Sequence, residues 1–171
     1  FFIYKIDSSG TTNFDFLVEY FRSDQQKSNE ATSISLEAES VNIKDSQFVY
    51  ENLFGENVDY GIDFNKLAVK AINARFREFR ANDNELEVNI NQLVFKERSG
   101  FALANFESNL KVDSTGIFAS QLSLKTGNSD IKGSIGLLHD SLADYSDFIN
   151  AVDWDAEFSA SNIDLQDIGY F

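Results

Sequence analysis

The chain has 171 residues, of which 28 are acidic and 14 basic, giving a formal net charge of −14. A field of that sign repels nucleic acid and anionic lipid headgroups, so we expect no nucleic-acid partner. The chain has no cysteine, which excludes disulfides, thiolate metal sites and cysteine nucleophiles. It also lacks an apolar run of about 18 residues, the length that spans a bilayer as a helix.

The first 31 residues predict a strand, a helix and a loop. The chain begins without methionine, at Phe1, in what reads as the middle of a strand. We therefore expect residues 1–171 to be a single fragment of a longer protein, with any anchor segment outside it. Apolar residues at helical spacing predict a helix over 13–22. Residues 23–31 are polar without a period, which predicts a mobile loop.

The middle of the chain alternates apolar and polar residues, most clearly at 86–90, 106–112 and 118–124. This period of two predicts strands with one apolar and one solvated face. Turn residues recur at 81–84, 99–100, 114–116 and 126–128, a spacing typical of antiparallel hairpins. We predict a mainly β fold. Residues 32–138 should form an elongated, curved, gutter-like antiparallel sheet with one apolar concave face, and two short helices should lie outside this range.

Thirteen apolar side chains are predicted to line the concave face: Val41, Ile43, Leu67, Val69, Leu86, Val88, Ile90, Leu110, Val112, Leu122, Leu124, Ile131 and Ile135. Their polar neighbours are predicted to face water: Asn89, Asn109, Lys111, Ser123 and Lys132. The alternation changes parity near Asn91 and near Ala104, so bulges or turns are expected there, because a slip of one residue would otherwise exchange the faces.

The last 31 residues begin with a second helix. Ser141 and Asp144 form a capping pattern, and apolar residues follow at helical spacing, so a helix is predicted over 141–151. Trp154, the sole tryptophan, is expected to anchor packing where this helix returns to the sheet. A short pattern recurs at 41–43, 67–69, 93–95 and 163–165: two apolar residues separated by one other, then a turn, then an aromatic segment. This recurrence suggests a repeated strand motif.

No residue pattern predicts an enzyme, a metal site or a cofactor. His139 is the only histidine and has no partner motif, so we expect a loop or capping residue. The acidic pairs Asp144/Asp147 and Asp153/Asp155 lack a calcium-loop pattern and are interpreted as solvated. Gly133 and Gly136 lack the context of a phosphate loop, and glycine in a strand more often marks a bend or bulge.

Five segments together resemble the TamB family of the AsmA-like superfamily, in the large form of Bacteroidota-type bacteria. They are 64–73 (FNKLAVKAIN), 93–103 (LVFKERSGFAL), 122–133 (LSLKTGNSDIKG), 145–150 (YSDFIN) and 163–171 (IDLQDIGYF). The resemblance implies a periplasmic protein anchored in the inner membrane by an N-terminal helix. It implies a long β-gutter with an apolar interior that moves phospholipid to the outer membrane, and an outer-membrane barrel partner of the TamA/BamA type.

Three functions remain open at this point. The apolar face lines a groove that shields phospholipid acyl chains. Alternatively, the sheet receives unfolded outer-membrane strands as an assembly scaffold with the barrel partner. A third interpretation is a closed β-sandwich with a structural role, whose core requires interdigitating side chains from two facing sheets.

Overall fold

The computed structural model describes residues 2–4, 35–55, 58–82, 84–139 and 152–171. The predicted helices at 13–22 and 141–151, the loop at 23–31 and the pair Asp144/Asp147 lie outside these residues. The predictions made for them are therefore not tested.

Strands make up 69% of the described residues. Nine strands share one sheet: β1 (Phe2–Tyr4), β2 (Leu36–Glu51), β3 (Lys66–Ala81), β4 (Leu86–Glu97), β5 (Ala102–Leu103), β6 (Asn105–Asp113), β7 (Gly116–Lys125), β8 (Asp130–Leu138) and β9 (Asp153–Asn162). Their spatial order is β1-β2-β3-β4-β6-β7-β8-β9, with β5 beside β4. Pairing is antiparallel except for β1, which runs parallel to β2. The predicted open, curved antiparallel sheet is confirmed.

The predicted turns lie between the strands. Described residues near 82–85 join β3 to β4, 98–101 join β4 to β5, 114–115 join β6 to β7, and 126–129 join β7 to β8. Side chains tie these reversals locally: the Asn82 Oδ1 accepts the Glu85 N–H at 3.0 Å, and the Asp113 carboxylate accepts the Thr115 N–H at 2.8 Å. Short polar side chains that bond nearby backbone groups favour such turns.

Register shifts interrupt the long ladders. The predicted parity change near Asn91 is confirmed, because the β3–β4 register shifts between Arg75 and Phe76 where Asn91 is the extra residue. The predicted break at Ala104 is confirmed as the gap between β5 and β6. Five further irregular positions were not predicted, and each has a positive φ without being glycine: Asp45, Ala71, Glu78, Gln121 and Ala160. Bulges of this kind bend a strand and increase its twist, which favours curvature.

Two predictions made from the repeated strand pattern are wrong. The fourth repeat, 163–165, is not a strand but leads into a short helix, α1 (Leu165–Ile168), because the Asp164 side chain accepts the Gln166 N–H and caps it. The first two repeats end in bulges inside continuous strands and not in turns. Trp154 lies in edge strand β9 with 58% of its surface exposed. The helix against which it was expected to pack lies outside the described residues, so that expectation is not tested.

Gly133 lies where two strands approach closely. Its φ is +152°, and a Cβ added there would lie 1.9 Å from the backbone oxygen of Glu157 on β9. No side chain fits that gap without moving one strand. Gly133 was predicted to mark a bend or bulge. It pairs with Leu122, directly beside the bulge of β7.

We predict that Gly133→Ala lowers the free energy of unfolding by about 1–3 kcal/mol, since it forces β9 away from β8 and strains the backbone. Gly127→Ala is the matched control, because a Cβ at Gly127 would meet nothing within 4 Å. Urea unfolding of both variants measures the difference. Equal stabilities would show that β9 is not held tightly at this position.

Candidate functional site

The registers divide the side chains of the sheet between two faces. Directly paired residues of neighbouring strands share a face, and successive residues of one strand alternate. Following the pairs from β2 to β9 places all thirteen predicted lining residues on one face, here called the apolar face. Asn89, Asn109, Lys111, Ser123 and Lys132 lie on the other, the outer face. Ligand contact with the thirteen residues stays a prediction.

The apolar face is built from rows of side chains that run across the strands. One row crosses seven strands and is wholly apolar: Leu36, Ala81, Leu86, Val112, Ile117, Leu137 and Trp154. Adjacent rows follow, such as Val88, Leu110, Ala119, Ile135 and Ala156. Residues of one row lie at the same depth on successive strands, so the face is continuous across the sheet.

Exposure increases from the middle strands to the rims. Val88 and Ala119 are buried, whereas Leu36 on β2 is 58% exposed and Phe158 on β9 is 48% exposed. Ser108 is a polar exception on this face and is buried, with its hydroxyl donating to the backbone oxygen of Ser120 at 2.9 Å. A buried hydroxyl with a partner avoids the desolvation cost of an unpaired one. Ser108 therefore adds no unpaired hydroxyl to the apolar face.

One end of the apolar face is covered. Ile62, Phe101 and Leu103 form a buried cluster against Phe95, Phe106 and Leu124 of the sheet, and Tyr170 packs on it. The Phe101 ring meets Tyr170 and Phe171 edge-on, with centroids 5.6 Å and 5.3 Å apart. The Ile62 N–H donates to the Tyr170 backbone oxygen at 2.7 Å. We call residues 58–64 and 163–171, which contribute Ile62, Tyr170 and Phe171 to these contacts, the end cap.

Asp167 attaches the end cap to the β7–β8 turn. Its carboxylate accepts hydrogen bonds from the Ser129 and Thr126 hydroxyls, both at 2.5 Å. The Asp164 N–H in turn donates to the Ser129 Oγ at 2.9 Å. Burial by itself raises the pKa of Asp167, but the bonds from Ser129 and Thr126 outweigh it and leave the pKa below its ordinary value. The ionised form is thus the one that holds the cap.

Glu97 is a buried carboxylate beside the cap. It accepts the Ser99 N–H at 2.6 Å and the Ala68 N–H at 3.2 Å. Burial raises its pKa, and the hydrogen bonds from Ser99 and Ala68 lower it further than burial raises it. These bonds hold the β4–β5 turn against β3, so Glu97 has a structural role.

The residues considered for chemistry do not converge. His139 lies just after β8, outside the strands and helices of the described residues, as expected of a loop residue. It is buried, and its backbone N–H donates to the Thr115 backbone oxygen at 3.1 Å. Asp153 and Asp155 lie exposed on the outer face of β9. Across the described ranges, no group of three or more acidic or histidine side chains is placed to hold a metal ion.

Sequence reasoning did not identify the end cap. Gly61 carried one signal, because its φ is +84° and a Cβ there would lie 2.7 Å from the Tyr170 backbone oxygen. A glycine between Tyr60 and Ile62 is consistent with a close backbone approach. Asp164, which caps α1, was a second signal, masked by the apolar alternation around it.

Comparison with protein-family models, curated proteins and solved structures found no match for this chain. In the described part of the chain, none of the helices reaches the length and apolar character that crossing a membrane requires.

We predict that Asp167→Ala loosens the end cap by about 1 kcal/mol, a value at the low end for bonds to a charged group because the carboxylate is partly exposed. Amide hydrogen exchange at Ile62, which donates to Tyr170, should accelerate. Asp153→Ala, on the exposed outer face of β9, is the control and should leave that exchange rate unchanged. Unaltered Ile62 exchange in Asp167→Ala would show that the aromatic contacts alone hold the cap.

The same contact predicts a dependence on pH. Since the folded-state pKa of Asp167 lies below its ordinary value of 3.8, the stabilisation is fully present above that value. It is lost as the pH falls through the lower folded-state pKa. Ile62 exchange, corrected for intrinsic pH dependence, should therefore rise in wild type below about pH 4. The Asp167→Ala variant should lack this acid-dependent rise.

Proposed function

We propose that this chain is a segment of a hydrophobic groove that shields phospholipid acyl chains across the periplasm, between the inner and outer membranes. The wet outer face meets water, and the apolar face takes the acyl chain. The inner-membrane anchor and the TamA/BamA-type barrel partner belong to this proposal through the TamB resemblance. Transport, and not catalysis, is the function proposed.

The single observation that carries the proposal is the continuous apolar face. Among the described strands, contacts are mainly between sheet neighbours, and no second sheet packs over this face. A one-sided apolar sheet must bury that side against another layer or offer it to a ligand. The rim side chains Trp154 and Phe158, both about half exposed, are consistent with a ligand that enters along β9.

The driving force is the hydrophobic effect. Each methylene of an acyl chain moved from water to apolar surface gains about 0.8 kcal/mol. Rows of similar apolar side chains at equal depth offer a chain similar contacts at successive positions, so sliding has a low barrier. The headgroup remains in water at the open rim, since the rows that carry Val88 and Val112 contain no charged side chain.

The end cap limits this path. It covers the end of the apolar face near Leu103 and Leu124. The rows run across the strands, whereas the cap lies at one end of β4, β6 and β7. It therefore bounds the path on one side and does not cover the row from Leu36 to Trp154, which lies at the opposite strand ends.

We predict that Leu110→Asp weakens phospholipid binding by about tenfold or more, because it places an unpaired charge among apolar neighbours. Leu110 pairs with Val88 and Ala119 on the apolar face. Native mass spectrometry of the purified chain with a phospholipid measures the bound fraction. Circular dichroism and a thermal melt establish that the variant is folded.

Asn109→Asp is the matched control: the preceding residue, on the exposed outer face, receives the same side chain. It should bind phospholipid as wild type does. Equal binding by folded Leu110→Asp and Asn109→Asp would remove the groove proposal. In full-length protein, Val112→Asp and Leu124→Arg extend the test to outer-membrane lipid delivery.

A second candidate function, the assembly scaffold, is favoured by β9. This edge strand is ten residues long, nearly all of them exposed. Unprotected edges accept an additional strand. An extended peptide of alternating apolar and polar residues should then slow amide exchange across Asp153–Asn162, whereas phospholipid should not. Protection by phospholipid alone would favour the groove. The sandwich interpretation has no support, since the described strands form one open sheet.

A further inference from the structure

Three cations of the described strands have carboxylate partners. Ion pairs join Lys111 to Glu85 at 2.7 Å, Lys125 to Asp130 at 2.9 Å and Arg80 to Glu87 at 3.6 Å. Several other cations, Lys70, Lys96 and Arg98 among them, have no carboxylate partner among the described residues.

The register brings these three cations together. Lys70 on β3 and Lys96 on β4 are directly paired. Like charges directly opposite each other destabilise a sheet. Arg98 follows in the turn, where its N–H donates to the Ala68 backbone oxygen at 3.0 Å and fixes its backbone beside β3. The three line one surface depression of about 440 Å³ together with Gln47, Ala68, Glu97 and Gly100. The Glu97 carboxylate there accepts the backbone N–H groups of Ala68 and Ser99.

We propose that this depression is an anion-binding site that takes a phosphate group. Two ammonium groups and a guanidinium supply point charges and a bidentate donor, the combination that phosphate oxygens accept. Bound phosphate also offsets the repulsion between Lys70 and Lys96. The site lies on the face opposite the apolar rows, so it does not depend on the proposed groove.

A phosphate group reaches such a site from a soluble phosphate compound or from a lipid headgroup. The overall charge of the chain repels both, which makes the binding local and sensitive to salt. The shared chemistry is recognition of phosphate oxygens by Lys70, Lys96 and Arg98.

Lys70→Glu tests the proposal, because it should raise the stability of the fold and lower the affinity for pyrophosphate. The new carboxylate faces Lys96, so the melting temperature should rise. Pyrophosphate affinity, measured by calorimetry at low salt, should fall about tenfold or more with the loss of a charge-assisted contact. A lysine retained only for the fold would show no loss of binding.

Lys132→Glu is the matched control. It makes the same charge change on the same face, where Lys132 pairs with Ser123 and Ser159 and not with another cation. It should bind pyrophosphate as wild type does. Equal weakening in Lys132→Glu and Lys70→Glu would overturn the proposal, because only the net charge would then matter.

Vesicles distinguish the two sources of phosphate. One set contains phosphatidylcholine alone, and the other adds phosphatidylglycerol. A lipid headgroup is identified if wild type binds the second set but not pyrophosphate, and if Lys70→Glu abolishes the vesicle binding. Binding of pyrophosphate alone identifies a soluble phosphate compound. Failure of wild type to bind either ligand overturns the site and leaves the groove proposal untouched.

Discussion

A strand that slips by one residue exchanges its two faces, and this constraint governs the whole sheet. The apolar face persists over long strands only because extra residues are absorbed without inverting the pattern. Ala71 is one such extra residue. Val69 and Ile72 are three positions apart, which in a regular strand would put them on opposite faces, yet they share a face because Ala71 forms a bulge at a φ of +53°. Gln121 does the same between Ala119 and Leu122.

The bulges also link local backbone conformation to shape. Each one costs strain, since non-glycine residues at positive φ are disfavoured by roughly 1–3 kcal/mol. The surrounding ladders and the burial of apolar rows outweigh that cost. Because a bulge bends its strand and increases its twist, the residues that preserve the faces also curve the sheet. Continuity of the apolar face and its curvature therefore have one physical origin.

Alternation predicted the strands between residues 86 and 124, the turns that join them, and the face on which the thirteen lining side chains lie. It did not predict β9, which lies outside the predicted range of 32–138. The parity changes at Asn91 and Ala104 were visible because polar residues interrupted the pattern there. Ala71 and Gln121 gave no such signal, since neither residue type marks positive φ, and their neighbours still alternated acceptably. Phe118 shows the cost: simple alternation with Leu122 placed it on the apolar face, but the bulge puts it outside, opposite Lys111. The end cap depended on contacts between Ile62 and Tyr170, more than a hundred residues apart, which no local pattern encodes.

The central claim is that acyl chains occupy the apolar face, and Trp154 reports on it directly. It is the only tryptophan, it belongs to the apolar row through its pair with Leu137, and it is 58% exposed. The decisive measurement is its fluorescence with phospholipid brominated on the acyl chain, against the same lipid unbrominated. The account predicts quenching by the brominated lipid only. Equal fluorescence with both lipids, under conditions where lipid binding is verified, would contradict it.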